Sequence, residues 1–281
     1  MRDDFAVFIL SHGRPNKIYT IESLQKGNYK GKYYVVIDNE DDTEKEYRKL
    51  YGDKVLQFDK KAVSETFDTG DLSDERRTIV YARNVCFELA KQVRIKYFLE
   101  LDDDYTSFEF RYIEDDKLKI QKVNDLNELF EIMLMFLDES NALTVALAQG
   151  GDFIGGVDGG SFKKGILRKA MNTFFCDVDK SFNFVGRINE DVNTYTSLGH
   201  KGELIMTVTN AAIVQKQTQS NSGGMTEVYL DSGTFLKSFY SVMYCPSAVK
   251  ISVMGDKHKR IHHVINWNNC VPKILNEAWK K

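Results

Sequence analysis

The chain has 281 residues, of which 42% are hydrophobic and 28% charged, and its formal net charge is −3. This is an ordinary globular composition, and the near balance of charge gives no overall basic field of the kind that favours nucleic-acid binding. The four cysteines are far apart with no CxxC pair, and no apolar run is long enough for a signal sequence or a membrane span. These features argue against a zinc cluster and lead us to expect a reduced, cytoplasmic protein without a membrane partner.

The first part of the chain alternates short apolar strands with helices. We predict strands at 5–10, 33–38, 55–58 and 97–101, helices at 19–26 and 43–51, and a longer helix from about Asp74 to Val93. Buried strands that alternate with helices predict an α/β fold with a largely parallel central sheet and helices on both faces. Since neither a GxGxxG nor a GxxxxGK[ST] motif is present, we expect a nucleotide to be held in another way.

Further elements follow in the second part. The pattern predicts a hairpin around 114–116, a strongly amphipathic helix at 126–140, a buried strand at 143–149, a short helix at 188–199 opened by Asn189, and a strand at 204–214. A Gly-rich run (150–160) and a polar run (215–226) are predicted loops, and loops on a rigid scaffold often carry binding groups.

Three consecutive acids, Asp102, Asp103 and Asp104, follow the strand at 97–101. Adjacent carboxylates repel one another, and a hard divalent ion such as Mg²⁺ or Mn²⁺ would relieve this repulsion while also holding substrate phosphates. Asp102 and Asp104 are two residues apart, so we expect them to point the same way and to bind the metal. The alternative is a solvated acidic turn.

Two later groups are candidates for catalysis and metal binding. Glu190 and Asp191 stand at a predicted helix start, where one of them, Asp191 first and Glu190 second, would remove the proton from an attacking hydroxyl. The helix dipole alone also explains an acidic pair at this position. His262 or His263 would complete the metal site, although a basic surface patch accounts equally well for histidines in this segment.

A third set of residues would hold the donor. The side chains at the first two strand exits could bind a base, ribose or phosphate, an arginine on an otherwise apolar helix face could contact the donor, and two glycines would let a sugar approach the backbone. The alternatives are ordinary turn chemistry and an ordinary flexible loop. These candidates are Ser11, His12, Arg14, Asp38, Arg83, Gly155 and Gly156.

The ordered set of motifs resembles the GT-A-fold glycosyltransferases over nearly the whole chain. The motifs are SHGRP, an Asp after the second strand, an ARN helix, LELDDD, a Gly-Gly loop, NED and a late His. The resemblance implies one GT-A-like domain, with a nucleotide-binding half (1–104), an acceptor-binding half (105–281) and a C-terminal metal-binding tail. It also implies a UDP-sugar donor and Mn²⁺ or Mg²⁺ on Asp102 and Asp104, with Asp103 on the donor side. Asp191 matches the helix-borne acid, and His262 or His263 matches the late metal-binding histidine.

Within that fold, SHGRP, ARN, FLELDDD, RINEDVN and RIHH…NW…PKIL resemble the TET-associated glycosyltransferases of phage. This implies transfer of a hexose or N-acetylhexosamine to 5-hydroxymethylcytosine, or a similar hydroxymethylated pyrimidine, in phage DNA in the host cytoplasm. The chain departs from a typical duplex-DNA enzyme by its slight acidity, and only the runs 163–169 and 257–260 are candidate phosphate contacts. A saccharide or protein acceptor, a nucleotidyltransferase, or a binding module with a structural ion remain alternatives.

Overall fold

A computed structural model describes residues 1–70, 76–159, 163, 165, 167–216, 225–255 and 259–280, with the backbone alone over 225–234. The helices are α1 (Tyr19–Lys26), α2 (Glu44–Tyr51), α3 (Lys60–Ser64), α4 (Val80–Gln92), α5 (Leu126–Ser140), α6 (Glu190–His200) and α7 (Met225–Tyr244). The strands are β1 (Phe5–Leu10), β2 (Lys32–Asp38), β3 (Val55–Phe58), β4 (Tyr97–Asp102), β5 (Tyr105–Glu114), β6 (Lys117–Lys122), β7 (Thr144–Ala148), β8 (Phe174–Asp177), β9 (Ile205–Gln215), β10 (Val249–Met254) and β11 (Arg260–Ile265).

Within these described residues, nine strands form one mixed sheet in the order β3-β2-β1-β4-β8-β7-β9-β5-β6. The neighbours β3, β2, β1 and β4 pair in parallel, as do β7 and β9, whereas β8, β5 and β6 pair antiparallel with their neighbours. The predicted α/β fold is therefore confirmed, although the described strands of this sheet make as many antiparallel as parallel pairings, where the sequence predicts a largely parallel sheet. Its parallel half is the part that the strand–helix alternation predicted, because parallel strands need crossover connections.

Both faces of the sheet are buried, and β1 shows why its sequence is apolar throughout. Successive side chains of a strand point to opposite faces. Phe5, Val7 and Ile9 pack with α1 and α5 in one core, while Ala6 and Phe8 pack with α4 in a second core. A strand buried on both faces therefore has no polar alternation.

Local sequence accounts for several element boundaries. The side chain of Asp125 accepts hydrogen bonds from the backbone amides of Asn127 and Glu128 in the first turn of α5, and Asn141 ends that helix in the left-handed conformation with φ of 53°. Asp115 and Asp116 both have positive φ, 50° and 55°, which is the geometry of a tight hairpin turn between β5 and β6. The predicted helix and the predicted hairpin lie at the expected positions.

The start of α4 differs from its prediction. The expected first residue, Asp74, lies outside the described residues, but residues 76–79 are not helical and α4 begins at Val80. The Thr78 hydroxyl donates instead to the carbonyl of Arg187, 2.7 Å away. A tertiary contact thus holds the segment before α4 in a non-helical path.

The C-terminal elements were not predicted from the sequence. The helix α7 packs against α6 and against the two-stranded sheet of β10 and β11. Its sequence, MTEVYLDSGTFLKSFYSVMY, contains a glycine and three serines and has weak helical periodicity. Packing rather than propensity therefore stabilises this helix.

Candidate active site

A cavity of about 590 Å³ lies at the carboxyl ends of the parallel strands β1, β2 and β4. This edge is where ligands bind in open α/β sheets. The N-terminus of α6 and one residue of α7 also line the cavity. The lining residues that carry polar side chains are Ser11, His12, Arg14, Asp38, Lys60, Arg77, Thr78, Arg83, Asp102, Asp103, Asp104, Gln149, Asn172, Asn189, Glu190, Asp191, Gln215 and Lys237.

The three acids after β4 all line this cavity, but each has a different partner. Asp102 Oδ1 lies 3.0 Å from Arg83 Nη2. Asp103 accepts a hydrogen bond of 2.6 Å from the Ser11 hydroxyl and lies 3.3 Å from Arg14. Asp104 Oδ2 accepts from Gln215 Nε2 at 3.2 Å, while its Oδ1 is buried without a hydrogen-bond partner.

Burial makes the ionised form of these carboxylates unfavourable. It raises the pKa of Asp102 to about 7, with Arg83 opposing and the neighbouring carboxylates adding to the rise. It also raises the pKa of Asp103 to about 6, against the effect of Arg14 and Ser11. The pKa of Asp104 is raised by burial as well. Arg83 and Arg14 therefore do not fully offset the burial of these acids, and a bound cation would further stabilise their ionised forms.

Arg83 is buried, with 1% of its surface exposed, at the centre of a carboxylate cluster. Besides Asp102 it contacts Glu100 Oε2 at 3.4 Å and Glu190 Oε1 at 3.2 Å. Burial raises the pKa of Glu100 to about 8, although the charge of Arg83 opposes this. Arg83 lines the cavity, but each ion pair that the structure gives it is with a carboxylate, so its expected donor contact stays a prediction.

The two acids at the start of α6 lie in different environments. Glu190 contacts Arg83, whereas Asp191 Oδ1 accepts from the backbone N–H of Val192 at 2.7 Å. Burial and the repulsion of Glu190 raise the pKa of Asp191 to about 6. Asn189 is the N-cap residue of α6, as the sequence predicts, but its side chain makes no capping hydrogen bond. Its amide donates to the carbonyl of Lys237 at 2.7 Å and thus ties α6 to α7.

The exits of β1 and β2 form a second polar group. His12 Nδ1 lies 2.9 Å from Asp38 Oδ2, and the buried Lys60 ammonium lies 3.3 Å from the same oxygen. The hydrogen bond to Asp38 raises the pKa of His12. Burial would raise the pKa of Asp38, but His12 and Lys60 outweigh it and lower that pKa overall. At this end of the cavity, the carboxylate of Asp38 is therefore neutralised by the neighbouring His12 and Lys60.

Four predicted site residues lie outside the cavity lining. Gly155 and Gly156 have φ of 88° and 61°, and a Cβ on Gly155 would lie 2.9 Å from the Cα of Gly159, so the turn itself requires glycine. His262 and His263 lie in β11, and burial lowers the pKa of both, that of His263 to about 4. Their predicted roles stay predictions. Of the basic runs, residues 164, 166, 257 and 258 lie outside the described residues.

Several lining residues have no distinctive signal in the sequence. Lys60 begins a short helix after β3, Gln215 ends β9, and Lys237 lies in the unpredicted helix α7. Hydrophobic patterning does not distinguish these side chains from other surface lysines and glutamines. Only Lys60 had a weak indication, since it follows a strand that pairs in parallel with β2.

The fold is that of an α/β protein with a cavity lined by carboxylates at the carboxyl edge of its parallel strands. The sequence model of the family described as "TET-Associated Glycosyltransferase" matches residues 5–224. The chain belongs to this family and is therefore a glycosyltransferase. Among curated proteins, no sequence matches the chain.

One solved structure that resembles this chain is titled "Crystal Structure of a Mycobacterial Protein". It has a TM-score of 0.48 and 10% sequence identity, with 93% of this chain and 83% of that chain covered. Separately, within the described part of this chain, no helix has the length and apolar character to cross a membrane.

Proposed function

We propose that this protein transfers a sugar from a UDP-sugar to a hydroxymethylated pyrimidine in DNA, 5-hydroxymethylcytosine first. The observation that carries this proposal is the convergence of two acidic groups on one cavity. The triplet Asp102–Asp104 comes from the end of β4, and Glu190 with Asp191 comes from the start of α6. The family membership supports the glycosyl-transfer chemistry, and the nature of donor and acceptor is the proposal.

The donor set fits a divalent cation of the Mn²⁺ or Mg²⁺ type. The buried Oδ1 of Asp104 has no hydrogen-bond partner, and the pKa of each acid in the triplet is raised, so a cation would be stabilised there. In their present positions, no three His, Cys, Asp or Glu side chains of the described residues surround a common metal position. Substrate phosphates would therefore have to supply further ligands to the cation, in addition to Asp102 and Asp104, as is usual for Mg²⁺. The cation, when bound, supplies positive charge for the departing diphosphate.

The cavity residues divide into two functional ends in this proposal. Ser11, His12, Arg14, Asp38 and Lys60 lie at the exits of β1 and β2, and we assign the nucleotide to this end, within residues 1–104. Their combination of a hydroxyl, an imidazole, cations and a carboxylate suits a ribose and a base. Lys237 and the α6 acids line the same cavity, and we place the acceptor beside them.

Asp191 is the proposed general base. It lies in the cavity, and its pKa of about 6 leaves it ionised at neutral pH while still able to take up a proton. In an inverting reaction it removes the proton from the acceptor hydroxyl. In a retaining reaction its carboxylate stabilises the positive charge that develops on the sugar. Glu190 is less suited to either role because Arg83 holds its carboxylate.

The acceptor would be a hydroxymethyl group on a base that has left the duplex, since a cavity of this size cannot admit a base pair within the stack. The test is to incubate the protein with UDP-glucose or UDP-N-acetylglucosamine, Mn²⁺, and matched duplexes that carry either cytosine or 5-hydroxymethylcytosine. We expect a mass increase of one sugar per hydroxymethylated base and none on cytosine.

The control is Asp191→Asn, which removes the proposed base with almost no change in volume. Transfer by the wild type to a saccharide or a protein but not to DNA would show that the acceptor is wrong. Release of pyrophosphate from a nucleoside triphosphate would instead indicate a nucleotidyltransferase. Absence of any donor turnover with Mn²⁺ would refute the proposed function as a whole.

A further inference from the structure

Arg83 connects two parts of the fold that carry the acidic groups of the cavity. Its guanidinium contacts Glu100 and Asp102, both in β4, and Glu190 at the first position of α6. Arg83 and Glu190 are 107 residues apart in the chain. A planar guanidinium has donors in several fixed directions, so it can hold carboxylates from two elements at once.

The residue after Arg83 makes a second connection to the same segment. The Asn84 side chain donates to the carbonyl of Phe184 at 2.9 Å and accepts from the backbone N–H of Phe184 at 2.7 Å. The rings of Phe174 and Phe184 lie 5.4 Å and 5.7 Å from the Arg83 guanidinium. Consecutive residues of α4 thus hold both the start of α6 and the strand-to-helix segment that leads to it.

Burying an arginine with three carboxylates costs desolvation free energy, which the ion pairs do not necessarily recover. Removing a cation and its carboxylates together from a protein interior is often neutral for stability, so stability alone does not account for such a cluster. The cluster borders the cavity directly, since Arg83, Asp102 and Glu190 all line it, whereas Glu100 is not part of the lining.

We propose that Arg83 is a positioning residue for sugar transfer. It fixes the start of α6, and with it Asp191, relative to the Asp102 carboxylate at the end of β4. The inference rests on the proposed function, because it concerns the spacing between the donor side and the acceptor side of that site. In this role Arg83 acts through Asp102 and Glu190, and it need not touch the donor.

The test is Arg83→Lys, which keeps the charge but replaces three directed contacts by one ammonium. We expect kcat to fall by about 100-fold, the loss that a displacement of about 1 Å produces, and the donor KM to stay within about threefold. The matched control is Arg111→Lys, which alters a partly buried arginine paired with Glu109 at 2.7 Å outside the cavity lining. This control should keep wild-type kcat.

A double-mutant cycle with Glu190→Gln identifies the route of the effect. If Arg83 acts through Glu190, the loss in kcat for the double variant is much smaller than the product of the two single losses. A raised donor KM with unchanged kcat in Arg83→Lys would overturn the inference in favour of a donor contact. An equal loss of kcat in Arg111→Lys would show that general destabilisation causes the effect, and this result would also overturn the inference.

Hydrogen exchange separates failure of this inference from failure of the proposed function. We expect faster amide exchange over residues 184–192 in Arg83→Lys, with unchanged exchange in β1 and in the Arg111→Lys control. If Arg83→Lys does not fold, Glu190→Gln removes only the α6 end of the link and should show the same local change. Unchanged exchange over 184–192 overturns the inference even if no acceptor is glycosylated.

Discussion

Replacement of Glu100 by Gln should stabilise the protein at alkaline pH and leave it nearly unchanged at acidic pH. Glu100 is completely buried, its Oε1 has no hydrogen-bond partner, and its other oxygen shares Arg83 with Asp102 and Glu190. Burial raises the pKa of Glu100 from 4.5 to about 8. Gln is similar in size and neutral, and it leaves Arg83 with two carboxylates.

The pH dependence of this difference in stability follows from the pKa values of Glu100 in the unfolded and folded states. The folded state holds the Glu100 proton more tightly than the unfolded state does, so the wild type loses stability as the pH rises from 4.5 through about 8. At about 1.4 kcal/mol per pH unit, this single group accounts for at most roughly 4 to 5 kcal/mol across that interval. Gln cannot titrate, so the variant keeps this free energy.

The assay is urea unfolding of the wild type and Glu100→Gln at about pH 5 and about pH 8. We expect similar free energies of unfolding at the lower pH and an advantage of a few kcal/mol for the variant at the higher pH, about 2 to 4 kcal/mol. The other titrating groups are common to both proteins. A difference that does not change with pH, or a variant less stable than the wild type at the higher pH, would refute the reasoning.

Further predictions concern the cavity. Asp191→Asn should lower the kcat of sugar transfer by about 10²- to 10⁴-fold without weakening donor binding in calorimetry, because it removes only the proton acceptor. At saturating Mn²⁺ and donor, the wild-type kcat should fall about tenfold per pH unit below the Asp191 pKa of about 6, since only the ionised form accepts the proton. Mn²⁺ with UDP should raise the Tm of the wild type but not that of Asp104→Asn. Lys60→Met should cost about 3 kcal/mol in urea unfolding, because Asp38 stays buried without its ammonium partner.

Each of these variants has a matched control. Asp179→Asn and Asp116→Asn alter exposed carboxylates of the same type, and Lys61→Met alters the exposed neighbour of Lys60. A pH profile that stays flat below about 6 would rule out Asp191 as the base. A Tm increase that is retained in Asp104→Asn would show that the cation binds elsewhere. Equal destabilisation by Lys60→Met and Lys61→Met would show that the buried ion pair is not the cause.

Much of the fold was predictable because its signals are local. The strand at 5–10, the helices at 19–26 and 126–140 and the hairpin around 114–116 each follow from patterning or turn chemistry within a few residues. The helix α7 was missed because its stability comes from packing on α6 and β11 rather than from its own periodicity. The start of α4 was misplaced because Thr78 bonds to Arg187, which is distant in the sequence.

The candidate site was likewise predictable from the sequence only in part. The sequence by itself placed Ser11, Asp38 and the triplet at 102–104 at strand ends, and the carboxyl ends of parallel strands share one edge of a sheet. Only the tertiary structure decided that α6 faces that edge, that Arg83 holds Glu190 rather than standing alone, and that Gly155 lies outside the cavity. The physical reason is that strand order and helix packing depend on contacts between distant residues, which no local pattern of polarity specifies.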